Sequence, residues 1–249
     1  MTANSVSRSK PGAQIKTNRS PKRTQQRARG RPRDNGASVG ADAIVIEVCD
    51  LLRNVAPRDV TLLRVAQHAG VDRSLIRYYF KNRSSLLLAA ARHLFAQLQS
   101  ELAGLQSIPP EDPEARIRES ARALLRFQLK HPYFHRLMVD EVVNSEHPDA
   151  LAFFKSFTAA GVRNHRSIAE SIAQHTGMRE VDGAFLYMAL IGMCEFFVTG
   201  APILKVAFGR DYDVAAVSRQ YETFLVDYVV DGLHRRLREC DVLRLTIPT

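Results

Sequence analysis

The 249-residue chain is 45% hydrophobic and 24% charged, a balance typical of soluble globular proteins that excludes a chain disordered throughout. Lys and Arg number 35 against 26 Asp and Glu, but ten of the basic residues and only one acid fall within residues 1–40, which leaves 25 of each sign in the remainder. A basic arm on a neutral body predicts a polyanionic partner, either nucleic acid or an anionic membrane surface.

Residues 1–40, the basic arm, contain almost nothing apolar to bury, and seven Pro and Gly residues interrupt any helix. We therefore predict a disordered segment. The arm has no apolar stretch of the kind found in secretory signals, but its Arg- and Ser-rich, acid-poor composition leaves an organellar transit peptide as an alternative. The longest uncharged apolar run, residues 183–194, is shorter than the roughly 18 residues that a spanning helix needs, so we expect no transmembrane segment.

From Ala41 onward, apolar residues recur at steps of three and four, punctuated by helix caps, without a convincing period-two run. This pattern predicts an all-α body. The predicted helices span about 41–54, a short helix capped by Thr61 and ending at Gly70, a second short helix behind Asp72, and then about 84–105, 113–130, 133–144, 148–175, 182–200 and 213–238.

The first helices contain a pattern typical of a helix-turn-helix motif. A short helix ends at Ala69-Gly70, a tight turn follows at Val71, and Asp72 is a good N-cap for the next helix. Val65, Ala66, Val71 and Ile76 would hold the two helices together. The exposed side of the second helix is then Arg73, Ser74, Arg77 and Tyr78, with eight basic residues against two acids between Arg53 and Arg92. A plain helical hairpin is the alternative interpretation.

The stretch from Thr61 to Leu87 resembles the DNA-binding signature of the tetracycline-repressor (TetR) family, and the match extends over roughly residues 41 to 92. It comprises Thr61 as cap, the turn after Ala69, the Tyr79-Phe80 end of the recognition helix and a basic residue opening the next helix. Four positions depart from the family pattern: Asp72 replaces the usual Ser, Leu75 a common Thr, Arg77 a phosphate-contacting Tyr, and Arg83 the typical Lys.

The resemblance implies that the second short helix enters the major groove of double-stranded DNA. We predict that Arg73, Ser74, Arg77 and Tyr78 face the groove, with Arg73 and Arg77 biased toward bases. Arg77 can either bind guanine bidentately or hold a phosphate, and the pattern does not decide between these roles. The residues predicted mostly to contact phosphates are Thr61, Arg64, Tyr79, Lys81 and Arg83. Tyr79 and Phe80 are alternatively core residues, and we expect Phe80 in the core.

Within the basic arm, Arg29, Gly30, Arg31, Pro32 and Arg33 resemble an AT-hook core, a thin extended segment that lays Arg side chains into an A·T minor groove. A generic phosphate-binding tail is the alternative. In either case the arm should raise DNA affinity and steepen its salt dependence.

The two C-terminal helices are apolar over more than one side. Residues 184 to 198 are apolar almost all round, and the final helix carries a wide stripe that includes Val217, Tyr221, Phe224 and Tyr228. This predicts a homodimer packed as a four-helix bundle, with a larger monomeric core as the alternative.

The resemblance further implies that the C-terminal helices enclose a small-molecule effector pocket. The candidate pocket residues are Phe127, Met138, Phe154, Thr158, His165, Tyr187, Met188 and Glu195. Each polar member is alternatively a satisfied core or interface group, and the apolar members are alternatively simple core. A ligand of such a pocket would be largely apolar.

The sequence has no GxGxxG, Walker A, HExxH or GxSxG motif, and its one SxxK lies in the basic arm, so we predict no enzymatic activity. His131 and His135 have the spacing of a metal pair with Glu141 downstream, but Pro132 separates their faces, and we predict neither metal nor cofactor. The separated cysteines Cys49, Cys194 and Cys240 indicate structural thiols and a cytoplasmic location.

The predicted organisation is a basic arm at 1–40, a helix-turn-helix domain at 41–88, an effector-binding and dimerisation domain at 89–240, and a tail at 241–249. The predicted function is a sequence-specific DNA-binding regulator. By resemblance it is a homodimeric repressor, without membrane association, that a small ligand releases from a palindromic operator. The alternative is an effector-independent protein that acts architecturally on DNA through its arm.

Overall fold

The structure, a computed structural model, describes residues 40–174, 178 and 180–234. Over these residues the chain is all-α without a β-strand, which confirms the predicted fold class. The AT-hook-like residues 29–33, the tail at 241–249 and Cys240 lie outside the described residues.

The described part of the chain contains ten α-helices. They are α1 (Ala41–Leu51), α2 (Leu62–His68), α3 (Arg73–Tyr79), α4 (Arg83–Leu102), α5 (Pro113–Lys130), α6 (Phe134–Arg136), α7 (Ala150–Ala173), α8 (Gly183–Thr199), α9 (Ala201–Phe208) and α10 (Val214–His234). Short 3₁₀ turns occur at Pro57–Asp59 and Ala103–Ser107, and a π-helical stretch, Leu137–Val142, continues α6. The predicted helices are confirmed to within a few residues at their ends, with the helix predicted at 133–144 divided between α6 and the π-helical stretch, whereas α9 was not predicted. Pro202 lies in the first turn of α9, where its missing N–H costs no hydrogen bond, so a new helix begins directly behind Gly200.

Local signals in the sequence account for the helix-turn-helix. The Thr61 hydroxyl accepts a hydrogen bond from the Arg64 amide at 3.1 Å, and the Asp72 carboxylate accepts one from the Ser74 amide at 2.7 Å. Gly70 adopts φ +64°, a left-handed conformation that suits glycine and that ends α2. The predicted caps and turn are therefore confirmed.

The core extends from these helices into the body. Val65 of α2 and Ile76 of α3 are fully buried, and so are Leu86 and Leu94 of α4, a helix that packs against α1 and α5. On α5, Ile117, Ala121, Leu124 and Leu125 form a row of buried residues at helical spacing.

Arg118 and Arg122 of α5 border α10 rather than facing only water, whereas Arg126 pairs with Glu119 of α5 itself. Arg118 contacts Asp227 at 3.3 Å and Arg122 contacts Glu222 at 3.4 Å. These partly exposed ion pairs flank the apolar α5–α10 contact and orient the last helix on the body.

Helices α7 and α8 approach each other very closely. A Cβ atom on Gly161 would lie 2.3 Å from Cε2 of Tyr187, so only glycine fits at this position without displacing the tyrosine ring. None of the described helices is by itself long and apolar enough to cross a membrane; α8 and α9 together would be, by length and composition, but the chain bends by 68° between them.

Candidate functional site

Helix α3 presents a polar, cationic surface to solvent. Ile76 anchors the helix in the core, while Arg73, Ser74, Arg77 and Tyr78 are exposed, the last with 80% of its surface accessible. All four residues predicted to face the major groove therefore lie on the open side of the helix.

The cations around α3 are not neutralised by acidic side chains. Over residues 40–174, 178 and 180–234, no ion pair or hydrogen bond engages the side chains of Arg64, Arg73, Arg77 or Lys81. Four guanidinium and ammonium groups thus remain available on one end of the body, an arrangement suited to a polyanion such as DNA.

Of the residues on either side of the exposed surface of α3, some are buried in the core and others are accessible to DNA. The Tyr79 side chain is 36% exposed and stands edge-on to the Tyr78 ring at 5.0 Å, whereas Phe80 is buried, as expected. Thr61 is exposed although its hydroxyl caps α2, so it is both a structural cap and accessible to a phosphate.

Arg83 has a set of partners that the sequence did not reveal. Its guanidinium group donates to both carboxylate oxygens of Glu141 at 2.6 and 2.7 Å, and to the carbonyl oxygens of Val60 at 2.7 Å and Pro57 at 2.6 Å. We call Arg83, Glu141 and these two carbonyls the Arg83 junction. It ties the turn before α2 and the start of α4 to the π-helical stretch behind α6. These contacts engage the Arg83 guanidinium group, which the resemblance assigns to a DNA phosphate. The phosphate contact of Arg83 stays a prediction.

A cavity of about 300 Å³ opens between α7, α8 and the segment Phe134–Val142. We call it the α7–α8 cavity. Its walls consist of His135, Met138, Val139, Phe154, Phe157, Thr158, Tyr187, Met188, Ile191, Gly192 and Glu195.

Six of the eight predicted pocket residues lie in these walls: Met138, Phe154, Thr158, Tyr187, Met188 and Glu195. The other two do not. Phe127 is buried in the core, with its ring edge-on to Phe134 at 5.0 Å. His165 is also buried and is 3.3 Å from the Ser120 hydroxyl and 2.8 Å from the Gly161 carbonyl. Both ring nitrogens thus have hydrogen-bonding partners, and His165 is a satisfied core histidine rather than a wall residue. Desolvation lowers its pKa.

The polar side of the cavity is a pair formed by a carboxylate and an imidazole. His135 Nδ1 lies 3.1 Å from a carboxylate oxygen of Glu195, whose side chain is 23% exposed. Burial raises the pKa of Glu195, while the nearby His135 and Arg136 act in the opposite direction. Burial also raises the pKa of Tyr187 to about 12, so its hydroxyl remains a neutral hydrogen-bonding group.

His131 and His135, whose spacing is that of a metal-binding pair, have separate partners in the structure. His131 is buried beside the Phe127 ring, at 4.8 Å between centroids, while His135 pairs with Glu195 and Glu141 with Arg83. In the part of the chain that the structure describes, no three His, Cys, Asp or Glu side chains are arranged to hold a metal ion. Both described cysteines, Cys49 and Cys194, are buried thiols whose pKa burial raises to about 12.

Helices α8, α9 and α10 leave a broad apolar face uncovered, which we call the apolar face. On α8 the buried side is Leu186, Leu190, Cys194 and Phe197. The opposite side and the neighbouring helices expose large hydrophobic residues to between 53% and 87%, namely Phe185, Met188, Phe196, Ile203, Val206, Phe208, Val214, Phe224 and Tyr228. A large group of exposed apolar side chains of this kind marks an interaction surface.

The four predicted interface residues on α10 divide between this face and its edge. Phe224 and Tyr228 are 57% and 62% exposed, and their rings stack at 5.6 Å. Tyr221 is half-buried, stacks on Phe197 at 3.9 Å and donates to the Met193 carbonyl at 2.8 Å. Val217 and Tyr221 also line an apolar hollow of about 380 Å³ between α8, α9 and α10.

Sequence reasoning missed several residues that the geometry brings forward. Ile191 and Gly192 follow Met188 at helical steps, so the periodicity of α8 could have identified them as cavity walls. No local signal connects Glu141 with Arg83 or His135 with Glu195, because these pairs are 58 and 60 residues apart in the chain.

A helical body that presents an open, cationic helix-turn-helix and contains a cavity is that of a DNA-binding regulator. Residues 113–229 match the family model described as the tetracyclin repressor-like C-terminal domain. Together with the relatives described next, this match shows that the chain belongs to the tetracycline-repressor family of transcriptional regulators.

Curated relatives and solved structures agree with this assignment. The HTH-type transcriptional repressor NicS of Pseudomonas putida is 23% identical over 65% of this chain and 76% of its own. The regulator BetI of Cronobacter sakazakii is 25% identical over 69% of this chain and 89% of its own. The regulator PfmR of Thermus thermophilus superposes with a TM-score of 0.60 at 17% identity, covering 82% of this chain and all of that one. The structure of AibR in complex with isovaleryl coenzyme A and operator DNA superposes with a TM-score of 0.59 at 16% identity, covering 78% of this chain and 97% of that one. These structural likenesses concern the fold.

Proposed function

We propose that this chain is a homodimeric repressor that a small, largely apolar ligand releases from a palindromic operator. The observation that carries the proposal is the exposed face of α3, whose arginines have no acidic partner among the described residues. A surface of unpaired cations on a recognition helix has its complement in the major groove.

On the operator, Arg73 and Arg77 read bases, because both lie on the exposed side of a helix whose opposite side is anchored by Ile76. Ser74 and Tyr78 share this face. Arg64, Thr61, Tyr79 and Lys81 flank it and bind phosphates, which fix the register without reading sequence. For Arg83 the contacts favour a positioning role, since the Arg83 junction occupies its guanidinium group.

The apolar face is covered by a second copy of the chain. Its aromatic residues, Phe224 and Tyr228 among them, are more than half exposed in the single chain, and aromatic residues are enriched in the centres of protein interfaces. A two-fold dimer presents two α3 helices in opposite orientations and therefore requires a palindromic site.

The α7–α8 cavity is the effector site in this proposal. The segment Phe134–Val142 has two contacts that matter for function: His135, Met138 and Val139 form cavity wall, and Glu141 holds Arg83. A ligand that shifts this segment therefore changes the support of the turn before α2. If the ligand binds one position of this segment more tightly than the other, that difference in binding free energy couples the cavity to the DNA-binding helices.

The relatives support this assignment by analogy. NicS is named as a repressor, and AibR has been crystallised in complex with isovaleryl coenzyme A and operator DNA. These relatives do not favour the architectural alternative. We further propose that residues 41–88 act as the DNA-binding unit and 89–240 as the effector and dimerisation unit, with α4 continuous across the division. A cytoplasmic location, where the DNA lies, belongs to the same proposal.

The experiment that tests the proposal is selection of bound duplexes from a random DNA library at physiological salt with excess competitor. We expect one inverted repeat, bound by two chains, and loss of enrichment at a defined base pair with Arg77→Ala. Enrichment of AT-rich DNA without an inverted repeat would instead support the architectural alternative. Deletion of residues 1–40 should then reduce the slope of affinity against salt in either case.

A further inference from the structure

The α7–α8 cavity has an unusual charge balance for a site that takes apolar ligands. Glu195 and His135 are the ionisable pair in its walls, and none of the described wall residues is Lys or Arg. Glu195 carries a full negative charge when ionised, whereas the imidazole is positive only when protonated. Arg136 also lowers the pKa of Glu195, but it is not a wall residue and forms no ion pair with Glu195 in the described part of the chain. Within the walls, the carboxylate therefore has no permanently charged partner.

The remaining wall is suited to an organic cation. Phe154, Phe157 and Tyr187 supply aromatic rings, and Met138 and Met188 supply polarisable thioethers. The faces of aromatic rings attract ammonium groups, and the attraction is strongest where water is excluded. Aromatic rings beside a half-buried carboxylate form the combination that recognises a charged amine on an apolar body.

We infer that the α7–α8 cavity binds an organic cation, with an apolar body between α7 and α8 and an ammonium group that replaces His135 as the partner of Glu195. This inference rests on the effector role proposed above for the cavity. The volume of about 300 Å³ is at the small end of ligand sites and fits a single ring with a short chain.

Anionic and neutral ligands fit the walls of the cavity less well than a cation. Among the described wall residues, only His135 can carry a positive charge for an anion, and Glu195 repels that anion. A neutral body gains the same apolar contact but leaves the carboxylate with the histidine alone. One charge–charge contact in a partly buried site, together with a ring contact, corresponds to about tenfold to hundredfold in affinity.

The test compares three compounds with one skeleton: 4-phenylbutylamine, 4-phenylbutanol and 4-phenylbutyrate. Isothermal titration of the full chain at neutral pH gives the three dissociation constants. We expect the amine to bind at least about tenfold more tightly than the alcohol, and the carboxylate most weakly. Equal affinities, tightest binding of the carboxylate, or no binding of the amine at millimolar concentration would overturn the inference.

Two variants test whether the preference for the amine comes from the Glu195 carboxylate. Glu195→Gln should remove the advantage of the amine while alcohol binding persists. His135→Gln removes the competing partner, so amine binding should be retained or strengthened, and this variant decides the matter if Glu195→Gln does not fold. The matched control is Glu119→Gln, which removes a carboxylate that pairs with Arg126 outside the cavity and should leave the order unchanged. An amine preference that survives Glu195→Gln contradicts the inference.

A mobility-shift assay on the selected operator separates this inference from the proposed function. Release of DNA by the amine supports both. If the amine binds through Glu195 but DNA affinity is unaffected, the cation site stands and the effector role fails. If 4-phenylbutyrate binds most tightly and releases the DNA, the effector role stands and the cation site fails.

Discussion

Glu141→Gln tests whether the Arg83 junction holds the DNA-binding helices to the body. Glu141 accepts two charge-assisted hydrogen bonds from Arg83, at 2.6 and 2.7 Å, and lies on the segment that also walls the cavity. The substitution keeps the shape of the side chain and removes its charge and one acceptor. We expect a lower free energy of unfolding, because the guanidinium group then lacks a charged partner.

The magnitude follows from the burial of the pair. The side chains of Arg83 and Glu141 are 33% and 15% exposed. Fully exposed ion pairs contribute about 0 to 1 kcal/mol, and removal of one partner from a buried pair costs about 3 to 5 kcal/mol. This bidentate pair lies between the two limits, so the expected loss is about 2 kcal/mol.

The assay is urea unfolding followed by circular dichroism, for the wild type, Glu141→Gln, Arg83→Gln and the double variant. The matched control is Arg58→Gln, because Arg58 and Asp59 form an exposed pair with a 3.8 Å separation and should contribute less than about 0.5 kcal/mol. Non-additivity of about 1 kcal/mol or more in the double-variant cycle is expected. If the two single losses simply add, or if Glu141→Gln equals the Arg58→Gln control, the reasoning about the junction is refuted.

Three further predictions concern DNA, assembly and pH. Arg77→Ala should cost about 1 to 3 kcal/mol and relax one base position, whereas Lys81→Ala should weaken all sequences alike; equal losses on every sequence for Arg77→Ala would contradict base reading. Tyr228→Glu places a charge on the apolar face and should raise the dimer dissociation constant at least about tenfold in sedimentation, without lowering the monomer's stability. Burial, with smaller contributions from nearby cations, lowers the pKa of His131 from 6.5 to about 4. Between these two pH values the unfolded chain binds a proton at His131 that the native state does not bind. The free energy of unfolding should therefore fall by up to about 3 kcal/mol as pH drops from about 6.5 to 4. Urea titrations should show a shallower fall in His131→Phe, and an unchanged pH dependence in that variant would refute this assignment.

The helix-turn-helix could be predicted because its signals are local. Thr61 and Asp72 each cap a helix through an amide two or three residues away, and Gly70 adopts the left-handed conformation that its position requires. The exposed face of α3 follows from the same periodicity, since the burial of Ile76 leaves Arg73 and Arg77 outside.

The contacts that connect the parts of the chain could not be predicted in this way. Arg83 and Glu141 meet across 58 residues, and neither has a neighbour in sequence that indicates the other. Phe127 and His165 illustrate a second limit: both point inward, as expected, but inward-facing periodicity does not tell whether a residue lines a cavity or fills the core. Helix α9 shows a third limit, because Gly200 ends α8 and α9 begins at the very next residue, with Pro202 in its first turn.

The most direct test of the central claim is a footprint of the purified full chain on the DNA upstream of its own gene, at physiological salt with excess competitor. The account predicts protection of one discrete inverted repeat, bound by two chains and lost in Arg77→Ala. Diffuse protection, or a footprint that Arg77→Ala leaves intact, would contradict sequence-specific recognition through α3.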